Sequence, residues 1–139
     1  MSSVAHDFIV ASLVRKARQL GYEPICLDAR HKDTIINRPP IPPRIVRHRP
    51  DAVAAREDGS FCICEAKTAG DVDSDRTRAQ IADFHEAISV GNCNLLLLGT
   101  SLKGKPTLRR LLMRMGLLAS KHIITIYIPE GLLPDEEEV

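Results

Sequence analysis

The sequence predicts an α/β fold in which a mixed β-sheet is flanked by helices, with elements in the order αβββαβαβ. Three observations carry this. The opening segment repeats its apolar residues at helical spacing; two short runs on either side of Gly59 have the spacing of a hairpin; and two later strand-like runs each follow a segment of helical periodicity, the pattern of parallel strands joined by helices. At 139 residues, 44% of them hydrophobic, the chain can fill one core and fits one domain.

Each element has its own signal. Phe8, Ile9, Leu13, Ala17 and Leu20 share a helical stripe that Gly21 ends, which predicts a helix from about Val4 to Leu20. Glu23 to Asp28 reads as a strand. Arg30 to Arg49 reads as a loop dense in proline and base, with His31, Lys32, Arg38, Arg44, Arg47, His48 and Arg49 around Pro39-Pro40-Ile41-Pro42-Pro43. So long a segment without regular structure is uncommon inside a compact domain unless it works. Asp51 to Arg56 and Ser60 to Lys67 form the hairpin. A helix then starts near Asp73-Ser-Asp-Arg-Thr77, carries Ile81, Phe84, His85 and Ile88 on one stripe, and stops at Gly91-Asn92. Asn94 to Gly99 is the continuous apolar run of a buried parallel strand. A helix from about Thr107 to Leu118 and the alternating strand His122 to Ile128 complete the series. No internal repeat divides it.

Charge is divided unevenly. Residues 130–139 hold five acids and no base, so residues 1–129 carry 19 bases against 13 acids, a net +6. The expectation is a basic domain over 1–129, suited to a phosphate-bearing partner, followed by an acidic tail over 130–139 that is disordered. No run of eighteen apolar residues occurs, and Met-Ser-Ser-Val-Ala-His-Asp lacks the basic and apolar regions of a leader. A cytoplasmic protein without membrane contact is expected. Cys26, Cys62, Cys64 and Cys93 lack paired metal or redox spacing and read as buried free thiols.

The chemistry gathers at the hairpin. Glu65 and Lys67 end an otherwise apolar strand, where charge is costly without a purpose, and being two apart they share a face. Asp51 joins them only if the register allows. With Glu57-Asp58-Gly59 as a three-residue loop and Gly59 left-handed, Arg56 faces Ser60 and Asp51 faces Glu65; a two-residue turn would send Asp51 to the opposite face. The three-residue loop is the expectation. Two neighbouring carboxylates repel unless a cation lies between them, and oxygen donors suit magnesium, or manganese in its place. Such an ion can activate a water for attack on a phosphodiester, with Lys67 offsetting the charge that develops. The same spacing also fits an ion-pair cluster at a hairpin end.

The order αβββαβαβ together with Pro50-Asp51 and Glu65-Ala66-Lys67 resembles the PD-(D/E)XK nuclease superfamily, over most of the chain. The resemblance implies a restriction-endonuclease-like core, with metal held by Asp51, Glu65 and the main-chain carbonyl of Ala66, and Lys67 as the family lysine. His6, near the start of the first helix, resembles the extra metal ligand of the RecB-like branch, although Ser3 stands where that branch has glycine. Gln80-Ile-Ala-Asp-Phe84 resembles its Q-x-x-x-Y motif without the tyrosine hydroxyl, and would make Gln80 a catalytic positioning residue. In the Holliday-junction-resolvase branch the first helix carries a glutamate, for which Asp7 would be the nearest substitute. The function so implied is a magnesium-dependent endonuclease cleaving duplex or branched DNA, as a homodimer or a subunit of a larger complex. A nucleic-acid-binding or assembly subunit that keeps the scaffold without cutting is the alternative.

The basic loop precedes Asp51 directly, so Lys32, Arg38, Arg44, Arg47 and Arg49 are candidates for phosphate contact, or for a dimer contact. Arg110 and Arg114 share a face of the last helix, as a second DNA-facing strip or a solvated surface. Five aromatic residues, Phe8, Tyr22, Phe61, Phe84 and Tyr127, give little for stacking single strands.

Overall fold

The computed structural model of the chain describes residues 3–28 and 40–134. Helix α1 (Val4–Gln19) begins at Ser3, whose hydroxyl accepts the His6 N–H at 3.1 Å, and buries Ala5, Ile9, Val10, Leu13 and Ala17. Strands β1 (Glu23–Leu27), β2 (Ala52–Ala55) and β3 (Phe61–Ala66) follow, then helix α2 (Asp75–Ile88), strand β4 (Leu95–Ser101), helix α3 (Lys105–Arg114) and strand β5 (Ile123–Ile128). The five strands form one sheet in the order β1-β2-β3-β4-β5. β1, β2 and β3 pair antiparallel, whereas β3–β4 and β4–β5 are parallel. The expected mixed sheet with helices on both faces is therefore present.

Two apolar cores lie on the two faces. One packs Ile9, Val10, Leu13 and Ala17 of α1 on Ala52, Ala54, Cys62, Cys64 and Leu97; the other packs Ile81, Phe84 and Ile88 of α2 with Leu108, Leu111 and Leu112 of α3 on Ile63, Leu96 and Leu98. β3 and β4, covered on both sides, read as near-continuous apolar runs for that reason. Gly99 lets α1 come close to β4: a Cβ there would stand 2.8 Å from Leu13 Cδ2 and 2.9 Å from Ile9 Cγ2.

Several expectations shift. β4 extends to Ser101, because its ladder with β5 continues to Ser101–Ile128. α3 starts at Lys105 and stops at Arg114, short of Leu118, since Gly116 takes a left-handed turn. Part of the basic loop is ordered, with Ile45 and His48 bridged in a tight turn, while residues 29–39, which include Lys32 and Arg38, lie outside the described residues. Of the expected tail, Glu130–Leu132 form a helical turn and Leu133 packs on the α1 face, while residues 135–139 lie outside the described residues. Cys62 and Cys64 are buried, but Cys26 is half-buried and Cys93, on the turn before β4, is exposed. No helix among the described residues is long and apolar enough to cross a membrane.

Candidate active site

The hairpin takes the three-residue register. Ala52 faces Cys64 and Ala55 faces Phe61, the Arg56 N–H donates to the Ser60 carbonyl at 2.9 Å, and Gly59 has φ +89°. Asp58 secures the turn by accepting from the Ser60 N–H at 2.9 Å and the Ser60 hydroxyl at 2.6 Å. Continued one step, this register sets Asp51 beside Glu65. The Asp51 N–H donates to Glu65 Oε1 at 3.2 Å, and Asp51 Oδ2 accepts the Ala66 N–H at 2.8 Å. Both main-chain groups of a strand residue point to the same neighbour, so the Ala66 carbonyl also lies on the Asp51 side. Lys67 Nζ stands 3.4 Å from Glu65 Oε2.

The surroundings make this an electrostatically loaded corner. Glu65 is 4% exposed, and burial, with Asp51 beside it, pushes its carboxyl well above the usual range against the pull of Lys67. His6 Nε2 is 3.3 Å from Asp51 Oδ2 and its Nδ1 is 3.4 Å from Asp7 Oδ1. Burial alone would lower the pKa of this ring, but the carboxylates of Asp51, Asp7 and Glu65 outweigh it and raise it to about 9. His6 is thus a cation at neutral pH, and ligation through Nε2 would require its proton to leave. α1 delivers it here because Ser3 caps that helix three residues earlier.

Gln80 reaches the same corner from α2. It is 4% exposed, its Oε1 is buried without a hydrogen-bond partner, and it lines a cavity of about 10 Å³ together with Glu65, Lys67, Thr77, Leu98 and Gly99. A buried amide oxygen left unpaired beside two ionisable groups is costly, and Val72, Ile81, Leu98 and Leu108 make the rest of the cavity wall apolar. Phe84, one turn on, is fully buried core.

The basic candidates divide. Arg44 and Arg49 are exposed on the segment leading into Asp51, and Arg110 and Arg114 are exposed on α3, outside the lining of the cavity. Arg47 is engaged: its Nε and Nη2 donate to Asp83 Oδ2 and Oδ1 at 3.2 and 3.0 Å. His48 Nδ1 lies 2.7 Å from Asp83 Oδ2, and its ring meets Phe84 edge-on with centroids 6.5 Å apart. Arg47 foremost, with His48, holds the Asp83 carboxyl down at about 2 despite its burial. This clamp fixes the turn Ile45–His48, in which Val46 takes φ +58°, a conformation a β-branched residue adopts only when its surroundings impose it. Sequence reasoning missed Asp83 and His48. The available signal was an aspartate three residues after Gln80, on the inward side of an amphipathic helix.

Comparison of the chain with protein-family models, curated proteins and solved structures finds no match. Among the described residues no three His, Cys, Asp or Glu side chains are already arranged to hold a metal ion. The hard oxygen donors at the corner are two carboxylates, Asp51 and Glu65, and the Ala66 carbonyl, a set whose chemistry suits a hard divalent cation.

Proposed function

We propose that this chain is a metal-dependent endonuclease that hydrolyses phosphodiester bonds of duplex or branched DNA, built on a restriction-endonuclease-like core. The observation that carries the reading is the hairpin register, which brings Asp51, Glu65, Ala66 and Lys67 to one point at the end of the sheet. Parallel strands β3 and β4 end there, the edge at which open α/β sheets receive ligands.

Asp51, Glu65 and the Ala66 carbonyl would hold magnesium, or manganese in its place. The bound ion would supply an activated water and offset phosphate charge. Glu65, which resists ionisation while buried, would gain a counter-charge from such an ion. Lys67 Nζ, 3.4 Å from Glu65, neutralises charge building on the phosphate oxygens. Gln80 Oε1 accepts a proton-bearing group in the cavity and fixes its orientation. Arg44 and Arg49, exposed just before Asp51, would contact flanking phosphates. A surface this small covers little DNA, and two cuts in a duplex need two sites, which favours a homodimer or a larger complex.

The test is cleavage of supercoiled and branched DNA with and without magnesium, by wild type, Lys67→Ala and Asp51→Asn. Wild type alone should cut, and only with the metal. Equal cleavage by all three proteins removes these residues from the chemistry.

A second reading has its own observation. His6 and Lys67 are two cations set against Asp51 and Glu65, so the corner can balance its charge without a metal. That arrangement suits a scaffold that binds nucleic acid or assembles with partners without cutting. Calorimetry with manganese separates the two: the scaffold shows no heat of binding that disappears on Asp51→Asn and Glu65→Gln.

A further inference from the structure

The two edges of the sheet are treated differently. At one edge β1 carries Pro24 and a break in register between Pro24 and Cys26, and its Leu27 N–H is taken by the Pro40 carbonyl at 2.8 Å. Proline, a bulge and a covering loop are the usual means of blunting an edge. At the other edge lies β5, Ile123-Ile-Thr-Ile-Tyr-Ile128, six residues without a charge, a proline or a bulge. No strand among the described residues pairs with its outer side.

The direction of its free groups follows from the ladder. The Leu96 N–H donates to the His122 carbonyl at 2.7 Å, which turns the main-chain groups of Ile124 and Ile126 toward β4 and those of Thr125 and Tyr127 outward. Along this edge runs an open groove of about 410 Å³, lined by Ser12, Arg15, Lys16 and Gln19 of α1 and by Ile124 to Ile126. Arg15 is exposed, Lys16 is half-buried, and neither is ion-paired among the described residues.

We infer that the outer edge of β5 and the Arg15–Lys16 groove form a docking site for an extended acidic segment of a partner protein, which adds to the sheet as a further strand. Main-chain bonds to Thr125 and Tyr127 give affinity, and the two cations select acidic side chains on the α1 face. A second copy of this chain fits less well. Pairing β5 with β5 about a two-fold axis keeps both α1 helices on one face of the joined sheet and brings two Arg15–Lys16 pairs together. Duplex nucleic acid would use the cations but leave the strand edge unpaired.

The site is separate from the carboxylate corner and stands without the nuclease reading. Fluorescence anisotropy with a labelled synthetic peptide alternating valine and glutamate tests it, against the same peptide with lysine for glutamate. The acidic probe should bind at least about tenfold tighter, and the double variant Arg15→Glu, Lys16→Glu should invert that order. Thr125→Pro removes an outward donor without touching the β4 ladder, and should weaken both probes while leaving thermal unfolding near wild type. If that variant unfolds, the charge-reversal pair alone decides. Absence of binding, equal binding of the two probes, or binding indifferent to the charge reversal overturns the proposal. So does a dimer in sedimentation that Thr125→Pro dissolves, which assigns the edge to a second copy. Duplex DNA displacing the acidic probe while ignoring Thr125→Pro assigns the groove to nucleic acid instead.

Discussion

Glu65 and Asp83 are each 4% exposed, but Glu65 lies deep at the end of the sheet whereas Asp83 sits just under the surface beside the exposed Arg47, and the fold pushes the two acids in opposite directions. Asp83, on α2, is met by the Arg47 guanidinium and the His48 ring and is held at about 2. Glu65, at the end of β3, has Asp51 against it and Lys67 as its close cation, and burial keeps its carboxyl high. Low exposure therefore does not by itself raise a carboxyl; depth and neighbouring charge decide the direction. Asp83 is satisfied and anchors a turn, whereas Glu65 is buried with a second carboxylate against it at the corner where Gln80 Oε1 also lacks a partner.

The contrast is greatest in activity. Under the proposed nuclease reading, Lys67→Ala should lower DNA cleavage by about 10²-fold or more, the usual cost of removing a group that stabilises transition-state charge. A smaller effect of opposite sign at the two acids should appear in urea unfolding. Asp83→Asn leaves Arg47 and His48 without their anion and should cost about 1–3 kcal/mol. Glu65→Gln relieves a disfavoured charge and should leave stability unchanged or raise it by about 1 kcal/mol. Equal losses at the two positions would erase the distinction between them.

pH separates them further. Asp83 falls from 3.8 to about 2 on folding, so its contribution is present above 3.8 and is lost as pH drops through about 2. Glu65 is raised above 4.5 on folding, so its contribution is complete below 4.5 and is lost as pH climbs through its higher folded value. His6 behaves in the same sense from 6.5 to about 9. Unfolding free energy measured from pH 2 to 9 should therefore fall toward both ends. Asp83→Asn should flatten the acid limb, and Glu65→Gln should flatten part of the decline above 4.5. An acid limb unchanged by Asp83→Asn would show that other carboxylates govern it.

Much of this was legible in the residues. Periodicity, apolar runs and the Gly59 turn placed the three α-helices and five strands of the described residues, with the ends of α3 shifted, because period and turn chemistry are local; the short helical turns at Ala69–Asp71, Leu102–Gly104 and Glu130–Leu132 carried no such signal. The Gly59 turn leaves two registers open to sequence reasoning, and the structure takes the three-residue one that sets Asp51 beside Glu65. What stayed hidden depends on contacts distant in the chain. Asp83 lies 36 residues from Arg47, and the exposed guanidinium expected to meet phosphate was already held by it. The charge on His6 depends on Asp51, which no local pattern places beside it.

The smallest effect is the most discriminating test of how Asp83 is held. Arg47 makes two hydrogen bonds to it, yet its side chain is 66% exposed, against 15% for His48. Water and salt screen an exposed partner, so Arg47→Ala should cost less than Asp83→Asn. The Debye length shrinks to about 3 Å near 1 M salt, so most of that loss should vanish there. His48→Ala, which removes the shielded partner and its edge contact with Phe84, should cost more and change little with salt. If Arg47→Ala instead matches Asp83→Asn and the loss persists in high salt, the guanidinium alone holds the turn. Asp83 would then rest on one cation, as Glu65 rests on Lys67, and the difference between the two acids would have to come from the neighbouring Asp51 rather than from the number of partners.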